Sequence, residues 1–240
     1  MKRLESYMNK VFFHVGYHKT GTTWMQNELF PKLNIKYLGR IYNSKKNADH
    51  NFSGKGLGEI ISLAKKQTED VLISDEGIMT DQSPKQVAQQ IKRHFAGAKI
   101  ILSIRNQNDL INSRINHASK RFYLQKKLAY ECKSENINGE AFEFYDFENT
   151  FNIFSKYFGS DAVHIIVYER LFDDDLEILR LEKFLNTKLN GLTSKDIKYN
   201  KRSKNKQIKN SLNKKIKERY RESNYKISKK LNINLNKYGY

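Results

Sequence analysis

An eight-residue segment, Gly16-Tyr17-His18-Lys19-Thr20-Gly21-Thr22-Thr23, has the composition of an anion-binding loop. It follows a short apolar run at residues 11–15, which reads as a buried strand, and a helical pattern begins after Gly21. Backbone N–H groups at such a strand-to-helix turn converge on an anion. The segment therefore predicts a phosphate-binding loop.

The position of the lysine separates this loop from those of nucleotide triphosphatases. The glycine spacing is that of the Walker A pattern, in which a lysine directly after the second glycine reaches the β- and γ-phosphates. Here Thr22 occupies that position, and the lysine is Lys19, which precedes Gly21. This displacement favours a ligand with a 5'-phosphate and one further anionic group over a magnesium triphosphate. No metal is required.

The heptapeptide His18-Lys19-Thr20-Gly21-Thr22-Thr23-Trp24 resembles the 5'-phosphosulfate-binding loop of the sulfotransferases that use 3'-phosphoadenylyl sulfate (PAPS). A second match is Arg105, at the end of a predicted strand, followed by Ser113. The family carries an arginine and a serine at this spacing to bind the 3'-phosphate. Gln107 replaces the proline that usually follows the family's Arg-Asn pair. The resemblance implies that these residues bind PAPS and release adenosine 3',5'-bisphosphate (PAP).

Two later segments extend the resemblance over nearly the whole chain. Val167-Tyr168-Glu169 looks like the family strand that ends in Tyr-Glu. Asn200, Arg202 and Ser203 lie where a polar or basic loop covers the 3'-phosphate in the family. The similarity is to bacterial, carbohydrate-type members.

Sulfuryl transfer to a hydroxyl needs a base for the acceptor proton and positive charge near the bridging oxygen. The resemblance assigns the second role to Lys19. The predicted strand at residues 71–74 brings Asp75 and Glu76 to the same crevice. In the family, histidine takes this place in members acting on small phenols and alcohols, and glutamate commonly does so in members acting on sugars. Glu76 is therefore the predicted base, with Asp75 and then His117 as alternatives.

The acceptor that this resemblance implies is a glycan, with a lipid or small alcohol as variants. A P-loop nucleotide kinase or hydrolase is the main alternative function. It lacks support because no lysine follows Gly21 and no convincing aspartate is placed for magnesium. A nucleic-acid-binding role is not expected, because no recognisable reading module accompanies the basic residues.

Short apolar, β-rich runs alternate with helical patterns, which indicates an α/β fold with a central parallel sheet flanked by helices. With the resemblance, we expect the three-layer, P-loop-like form of this fold. The predicted strands are residues 11–15, 71–73, 99–104 and 163–167. Helices are predicted after Gly21, after the Ser83-Pro84 N-cap, and at about 108–123, 148–158 and 174–185, with residues 42–58 as a loop. His14 and His164 lie within strands and are predicted core residues.

The composition indicates one domain over residues 1–240, with a basic helical tail from about residue 200. The net charge is +18, and residues 195–240 hold 16 Lys or Arg against three acidic residues. Ile208, Leu212, Ile216 and Tyr220 recur every four residues, which predicts a helix that packs on the domain through one apolar stripe. Peripheral contact of its basic face with a membrane stays open as an alternative.

Several classes of protein are disfavoured by simple counts. The single cysteine, Cys132, excludes an internal disulfide framework and a cysteine-rich metal site. Charged residues interrupt the N-terminal apolar run, so no signal-peptide core forms, and no stretch has the length of a membrane span. A cytoplasmic enzyme is therefore expected, and the sequence carries no signal for its oligomeric state.

Overall fold

The computed structural model describes residues 9–39, 57–79, 82–116, 123–173, 175–189 and 208–240. Within these ranges one sheet is formed by five parallel strands: β1 (Val11–His14), β2 (Lys36–Gly39), β3 (Val71–Ser74), β4 (Lys99–Ile104) and β5 (Val163–Val167). Their order is β2-β3-β1-β4-β5. Strands β2 and β3 therefore lie on one side of β1, and the chain then crosses to the other side to form β4 and β5. Ligands of open α/β sheets bind beyond the carboxyl ends of the strands at such a switch point.

The helices that lie between these strands along the chain are α1 (Thr22–Trp24), α2 (Leu57–Lys65), α3 (Pro84–His94), α4 (Gln107–Asn116), α5 (Tyr123–Lys133), α6 (Glu140–Glu143) and α7 (Phe147–Phe158). Two further helices, α8 (Leu176–Leu185) and α9 (Asn210–Leu231), follow β5. Helix α1 continues into a π-helical turn at Met25–Leu29 and a 3-10 turn at Phe30–Lys32. The N-cap predicted for α3 is confirmed, because the Ser83 hydroxyl accepts from Gln86 N–H and the Gln86 side chain accepts from Ser83 N–H.

The two faces of the sheet pack against different helices, which gives three layers. Phe13, Ile73, Ile100 and Ile165 belong to the larger core, together with apolar residues of α2, α3, α4, α7 and α9. A neighbouring residue on each of these four strands lies on the opposite face, where Phe12, Leu72, Ile101 and Ile166 meet Met25, Leu29 and the α8 residues Leu181 and Leu185. Burial on both faces explains why the strands are almost continuously apolar.

Helix α9 packs on the domain as its apolar stripe predicts. Leu212, Ile216 and Tyr220 are all buried. The side chains of Gln107 and Asn224 exchange two amide hydrogen bonds of 2.9 and 3.0 Å between α4 and α9. Such a reciprocal pair satisfies both buried amides and fixes how the two helices face each other.

The structure corrects several predicted boundaries. Within the helix predicted at 108–123, the described residues to Asn116 belong to α4 and Tyr123 is the first described residue of α5, while residues 117–122 lie outside the described part of the structure. The helix predicted from residue 174 begins at Leu176. Of the loop predicted at 42–58, residues 42–56 lie outside the described part of the structure, and residues 57 and 58 belong to α2. Strand β2 was not predicted, because it is a four-residue edge strand whose first residue, Lys36, is exposed.

Candidate active site

The predicted phosphate loop leaves the carboxyl end of β1 and enters α1 through two left-handed residues. Gly21 has φ 81°, and Lys19 has φ 70° although it is not glycine. A left-handed residue with a side chain costs about 1 kcal/mol, and such conformations cluster at functional sites. Left-handed residues in a turn help to direct successive N–H groups into one concavity. The loop thus has the backbone geometry of an anion cradle.

Gly21 is required here for space as well as for conformation. A Cβ at this position would lie 2.7 Å from Cδ2 of Tyr168. That ring belongs to the 3-10 turn Tyr168–Phe172, which follows β5. The loop is therefore bounded on one side by the Tyr-Glu segment that the sequence places after β5.

Arg105 contacts the loop directly. Its Nη1 donates to the carbonyl oxygen of Lys19 at 3.1 Å, and its guanidinium carbon lies 4.6 Å from the centre of the Tyr168 ring. The Arg105 Nε is buried and has no hydrogen-bond partner among the described residues. The structure therefore brings together two predicted anion-binding elements that are 86 residues apart.

Glu169, the neighbour of Tyr168, holds the end of β4 in place. Its carboxylate accepts from Asn106 N–H and from the Tyr240 hydroxyl, both at 2.9 Å. Burial raises the pKa of Glu169, although these hydrogen bonds and Arg105 oppose the shift. Glu169 thus fixes the residue that follows Arg105. The Tyr-Glu pair marks this segment in the sequence, but the sequence does not indicate that Glu169 holds Asn106.

Ser113 lies on α4, half-buried, and its helix borders a cavity of about 380 Å³. The cavity lies between α4, α9 and the segment near residue 238, and it is lined by Asn106, Asn108, Asp109, Asn112, Asn213, Lys217, Tyr238 and Gly239. Asn106 caps α4, because its side chain accepts from Asp109 N–H at 3.2 Å. The cavity adjoins the arginine end of the predicted 3'-phosphate site.

The two carboxylate candidates follow β3, which pairs with β1 so that Ser74 is opposite His14. Asp75 is 1% exposed, and its Oδ1 accepts from Gly77 N–H at 2.7 Å. Glu76 begins the 3-10 turn Glu76–Met79. Its side chain lies outside the described part of the structure, as do all of His117, Asn200, Arg202 and Ser203.

A second cavity, of about 450 Å³, lies where α3, α5, α6 and α7 meet. It is lined by Gln82, Ser83, Pro84, Lys85, Gln86, Tyr123, Leu124, Glu140, Glu143, Phe144, Asn149, Thr150 and Ile153. Tyr17 links it to the phosphate loop, since its hydroxyl lies 2.7 Å from Thr150 Oγ1 and its ring packs 5.2 Å from Phe144. This cavity is thus one layer of side chains away from the start of the loop.

The described residues contain no group of histidine, cysteine and carboxylate side chains that could hold a metal ion. They also contain no helix long and apolar enough to cross a membrane.

The parallel sheet, with a glycine turn and a helix after its central strand, defines an α/β protein. A family model described as "Sulfotransferase domain" matches residues 10–237, and the chain therefore belongs to the sulfotransferase family. It is a transferase domain by this membership. The predicted family and fold are both confirmed.

One solved structure supports the same fold. The crystal structure of a sulfotransferase from Alicyclobacillus acidocaldarius superposes with a TM-score of 0.58 at 13% identity, covering 95% of this chain and 98% of that one. Mouse sulfotransferase SULT7A1, solved in complex with PAP, gives a TM-score of 0.48 at 14% identity and covers 76% of this chain and 61% of the mouse chain. No curated protein matches the sequence significantly.

Proposed function

We propose that this sulfotransferase moves the sulfuryl group of PAPS to a hydroxyl of a glycan. The observation that carries the proposal is the contact between the phosphate loop and Arg105 at the Lys19 carbonyl, 3.1 Å long. It joins a cradle for one phosphate to a guanidinium suited to a second. A nucleotide with phosphates on both its 5' and 3' sides has this pattern of charge.

The described residues fit such a donor. The N–H groups of residues 16–23 and the Lys19 ammonium would hold the 5'-phosphosulfate. Arg105 would bind the 3'-phosphate with Ser113, through guanidinium donors that the Lys19 carbonyl does not use. His18, the loop threonines and Trp24 would complete the nucleotide site, and Asn200, Arg202 and Ser203 remain the proposed cover for the 3'-phosphate. PAP would leave from the same residues, and no metal is needed.

In the transfer, a bond forms between the acceptor oxygen and sulfur while the bond from sulfur to the bridging phosphate oxygen breaks. Lys19 would stabilise the negative charge that develops on that bridging oxygen. A carboxylate after β3 would take the acceptor proton. Asp75 is buried and its Oδ1 caps the turn that follows, so Glu76 is the better proposed base of the pair.

We place the acceptor in the cavity between α3 and α7. Its lining combines the aromatic side chains Tyr123 and Phe144 with the amides of Gln82, Gln86 and Asn149. Ring faces and amides are suited to bind sugars through stacking and hydrogen bonds. A lipid or small alcohol is the variant of this proposal, and a panel of sulfate acceptors decides between them.

Calorimetry with nucleotides tests the donor. PAP should bind tightly in the presence of EDTA, while ATP with magnesium should bind weakly. The reverse order, with magnesium-dependent ATP binding, would replace the sulfotransferase proposal with a nucleotide kinase or hydrolase.

Arg105→Ala tests the 3'-phosphate site. The variant should lose about tenfold to a hundredfold in affinity for PAP, the value of a charge-assisted hydrogen bond or two. Its affinity for adenosine 5'-monophosphate should change far less. Arg93→Ala, at an exposed arginine of α3, is the matched control and should bind both nucleotides as the native protein does. Equal losses for both nucleotides would remove Arg105 from this site.

Glu76→Gln tests the base. The turnover of radiolabelled PAPS with an accepted glycan should fall about 10²-fold to 10⁴-fold, the usual contribution of general base catalysis. PAP affinity should stay unchanged. Asp75→Asn is the comparison, and a larger loss there than in Glu76→Gln would move the base to Asp75.

A further inference from the structure

Three polar side chains interrupt the smaller apolar face of the sheet, directly beneath the phosphate loop. Ser74 of β3, His14 of β1 and Ser103 of β4 each have 0% exposure. Ser74 and His14 are partners in the strand register, and Ser103 lies two residues beyond the β4 partner of His14. Burying three polar groups is costly unless hydrogen bonds satisfy them. Their placement therefore calls for a physical account.

The three side chains form one chain of hydrogen bonds that ends in the loop. His14 Nδ1 lies 2.8 Å from Ser74 Oγ, and His14 Nε2 lies 3.2 Å from Ser103 Oγ. Ser103 Oγ in turn lies 2.6 Å from Thr20 Oγ1, which bonds to the Tyr17 carbonyl oxygen at 2.6 Å. The chain thus runs across three strands and joins two residues of the loop.

Only one assignment of donors and acceptors fits the hydrogen bonds at the loop end of this series. The Tyr17 carbonyl can only accept, so the Thr20 hydroxyl donates to it, and Ser103 must donate to Thr20. The Ser103 hydroxyl hydrogen is then used, and His14 Nε2 must be the donor to Ser103.

The other end of the chain agrees with this direction. Gln26 Nε2 lies 3.0 Å from Ser74 Oγ and 3.3 Å from the Ser74 carbonyl oxygen, which again can only accept. Gln26 therefore donates to Ser74, and the Ser74 hydroxyl is free to donate to His14 Nδ1. These bonds place a hydrogen on Nε2 and allow Nδ1 to accept from Ser74, which is the pattern of a neutral imidazole.

Gly16 fixes the first residue of the loop against the same chain. A Cβ on Gly16 would lie 1.9 Å from Ser103 Oγ and 2.7 Å from His14 Nε2. The loop backbone therefore rests on the bond between His14 and Ser103 at one point and is hydrogen-bonded to Ser103 through Thr20 at another. No side chain larger than hydrogen fits between them without displacing one.

We propose that His14 is a positioning residue, which sets the conformation of the phosphate loop through Ser103 and Thr20 and never touches the nucleotide. The neutral Nε2–H form holds Ser103 so that its hydroxyl points to Thr20. Thr20 then fixes the turn around the left-handed Lys19. The inference rests on the proposed function only for the identity of the ligand, since the effect on the loop conformation is independent of it.

Nitrogen-15 NMR of the imidazole rings tests the direction of the chain in the intact protein. At pH 7, His14 should show the neutral pattern with the hydrogen on Nε2. In Ser103→Ala, which removes the acceptor, this preference should weaken. A His14 ring with its hydrogen on Nδ1, or a doubly protonated ring, in the native protein would overturn the proposal.

Hydrogen exchange and PAP calorimetry test the consequence for the loop. In His14→Phe, amide exchange at residues 16–22 should accelerate and PAP affinity should fall, each by about tenfold to a hundredfold, as expected for a lost buried hydrogen bond. Ser103→Ala is the smaller substitution and should move both readouts in the same direction. His164→Phe is the matched control, because His164 is also buried on this sheet face, in β5. It should leave loop exchange unchanged.

The outcomes separate the two proposals. If the native protein does not bind PAP, the proposed donor is wrong, while loop exchange in His14→Phe still decides the positioning role. Unchanged loop exchange in both His14→Phe and Ser103→Ala would refute that role. Equal effects in His14→Phe and His164→Phe would do the same, because a general loss of packing would then explain both.

Discussion

Two histidines occupy the same row of the sheet and differ in their hydrogen bonds, although each ring lies 5.0 Å from a phenylalanine ring, that of Phe30 for His14 and that of Phe184 for His164. His14 pairs in register with Ile101, and Ile101 pairs with His164, so all three side chains lie on one face. His14 uses both ring nitrogens in hydrogen bonds to serines. His164 instead stacks on Phe184 with the ring centres 5.0 Å apart, and its Nε2 is buried with no hydrogen-bond partner among the described residues. Burial lowers the pKa of His164 to about 3.

The difference lies in what covers each ring. His14, in β1, lies beneath the phosphate loop, where the hydroxyl groups of Ser74 and Ser103 are hydrogen-bond partners for its buried ring. His164, in β5, lies beneath α8, where the Phe184 ring stacks on it. The first histidine is thus connected to the proposed active site, while the second only fills space. Three substitutions can break or sharpen this contrast.

Gly16→Ala should have the largest effect, because its methyl group would intrude on the bond between His14 and Ser103. We expect a loss of about 3 kcal/mol in the free energy of unfolding, the upper range for overpacking, with a loss of PAP binding. Urea denaturation and calorimetry measure the two. Gly97→Ala is the control, because a Cβ there meets nothing within 4 Å. A Gly16→Ala variant that behaves like Gly97→Ala would show that the loop is not seated on this bond.

His164→Phe should change the pH dependence of stability. The pKa of His164 is about 3 in the folded protein, against 6.5 for an ordinary histidine in the unfolded chain, so the unfolded chain binds an extra proton between these two values. Stability is therefore lost as pH falls below 6.5, by about 2 kcal/mol between pH 7 and pH 5. The variant should lose this part of the slope, measured by urea denaturation at each pH. An identical slope in both proteins would contradict the assignment of a buried, neutral His164.

Tyr17→Phe should have the smallest effect of the three. Its hydroxyl lies 2.7 Å from Thr150 Oγ1 on the opposite side of the loop, and burial raises the pKa of Tyr17. Removing one buried hydrogen bond should cost about 1 kcal/mol of unfolding free energy. The ring packing is retained, so PAP affinity should change less than in His14→Phe. A larger loss of affinity in Tyr17→Phe would make the aromatic side the main support of the loop.

Much of the fold followed from local pattern. Four of the five described strands were predicted to within one or two residues, because strands buried on both faces are almost uninterrupted apolar runs. The helix after Ser83 was predicted from an N-cap serine followed by proline at the first helical position, a signal carried by two adjacent residues. Strand β2 and helix α5 were missed, since a short edge strand and a helix with exposed aromatic residues carry no comparable pattern.

The candidate site residues also divide into those that local pattern indicates and those that it does not. Lys19, Gly21 and Arg105 could be selected from residue type and order, because a phosphate loop is a local structure and its arginine partner ends a recognisable strand. Glu76 stays a prediction, as do Ser113 and the segment around Arg202. The role of His14 could not be found from the sequence, where it reads only as a core residue of a strand.

The sequence by itself determined that this chain is a sulfotransferase with a parallel sheet and a phosphate loop whose lysine precedes the second glycine. Those properties depend on neighbours along the chain. Only the tertiary structure decided which of two buried histidines is joined to that loop, because Ser74 and Ser103 lie 60 and 89 residues away from His14. Strand order β3-β1-β4 brings them to its two ring nitrogens, and no local pattern encodes that order.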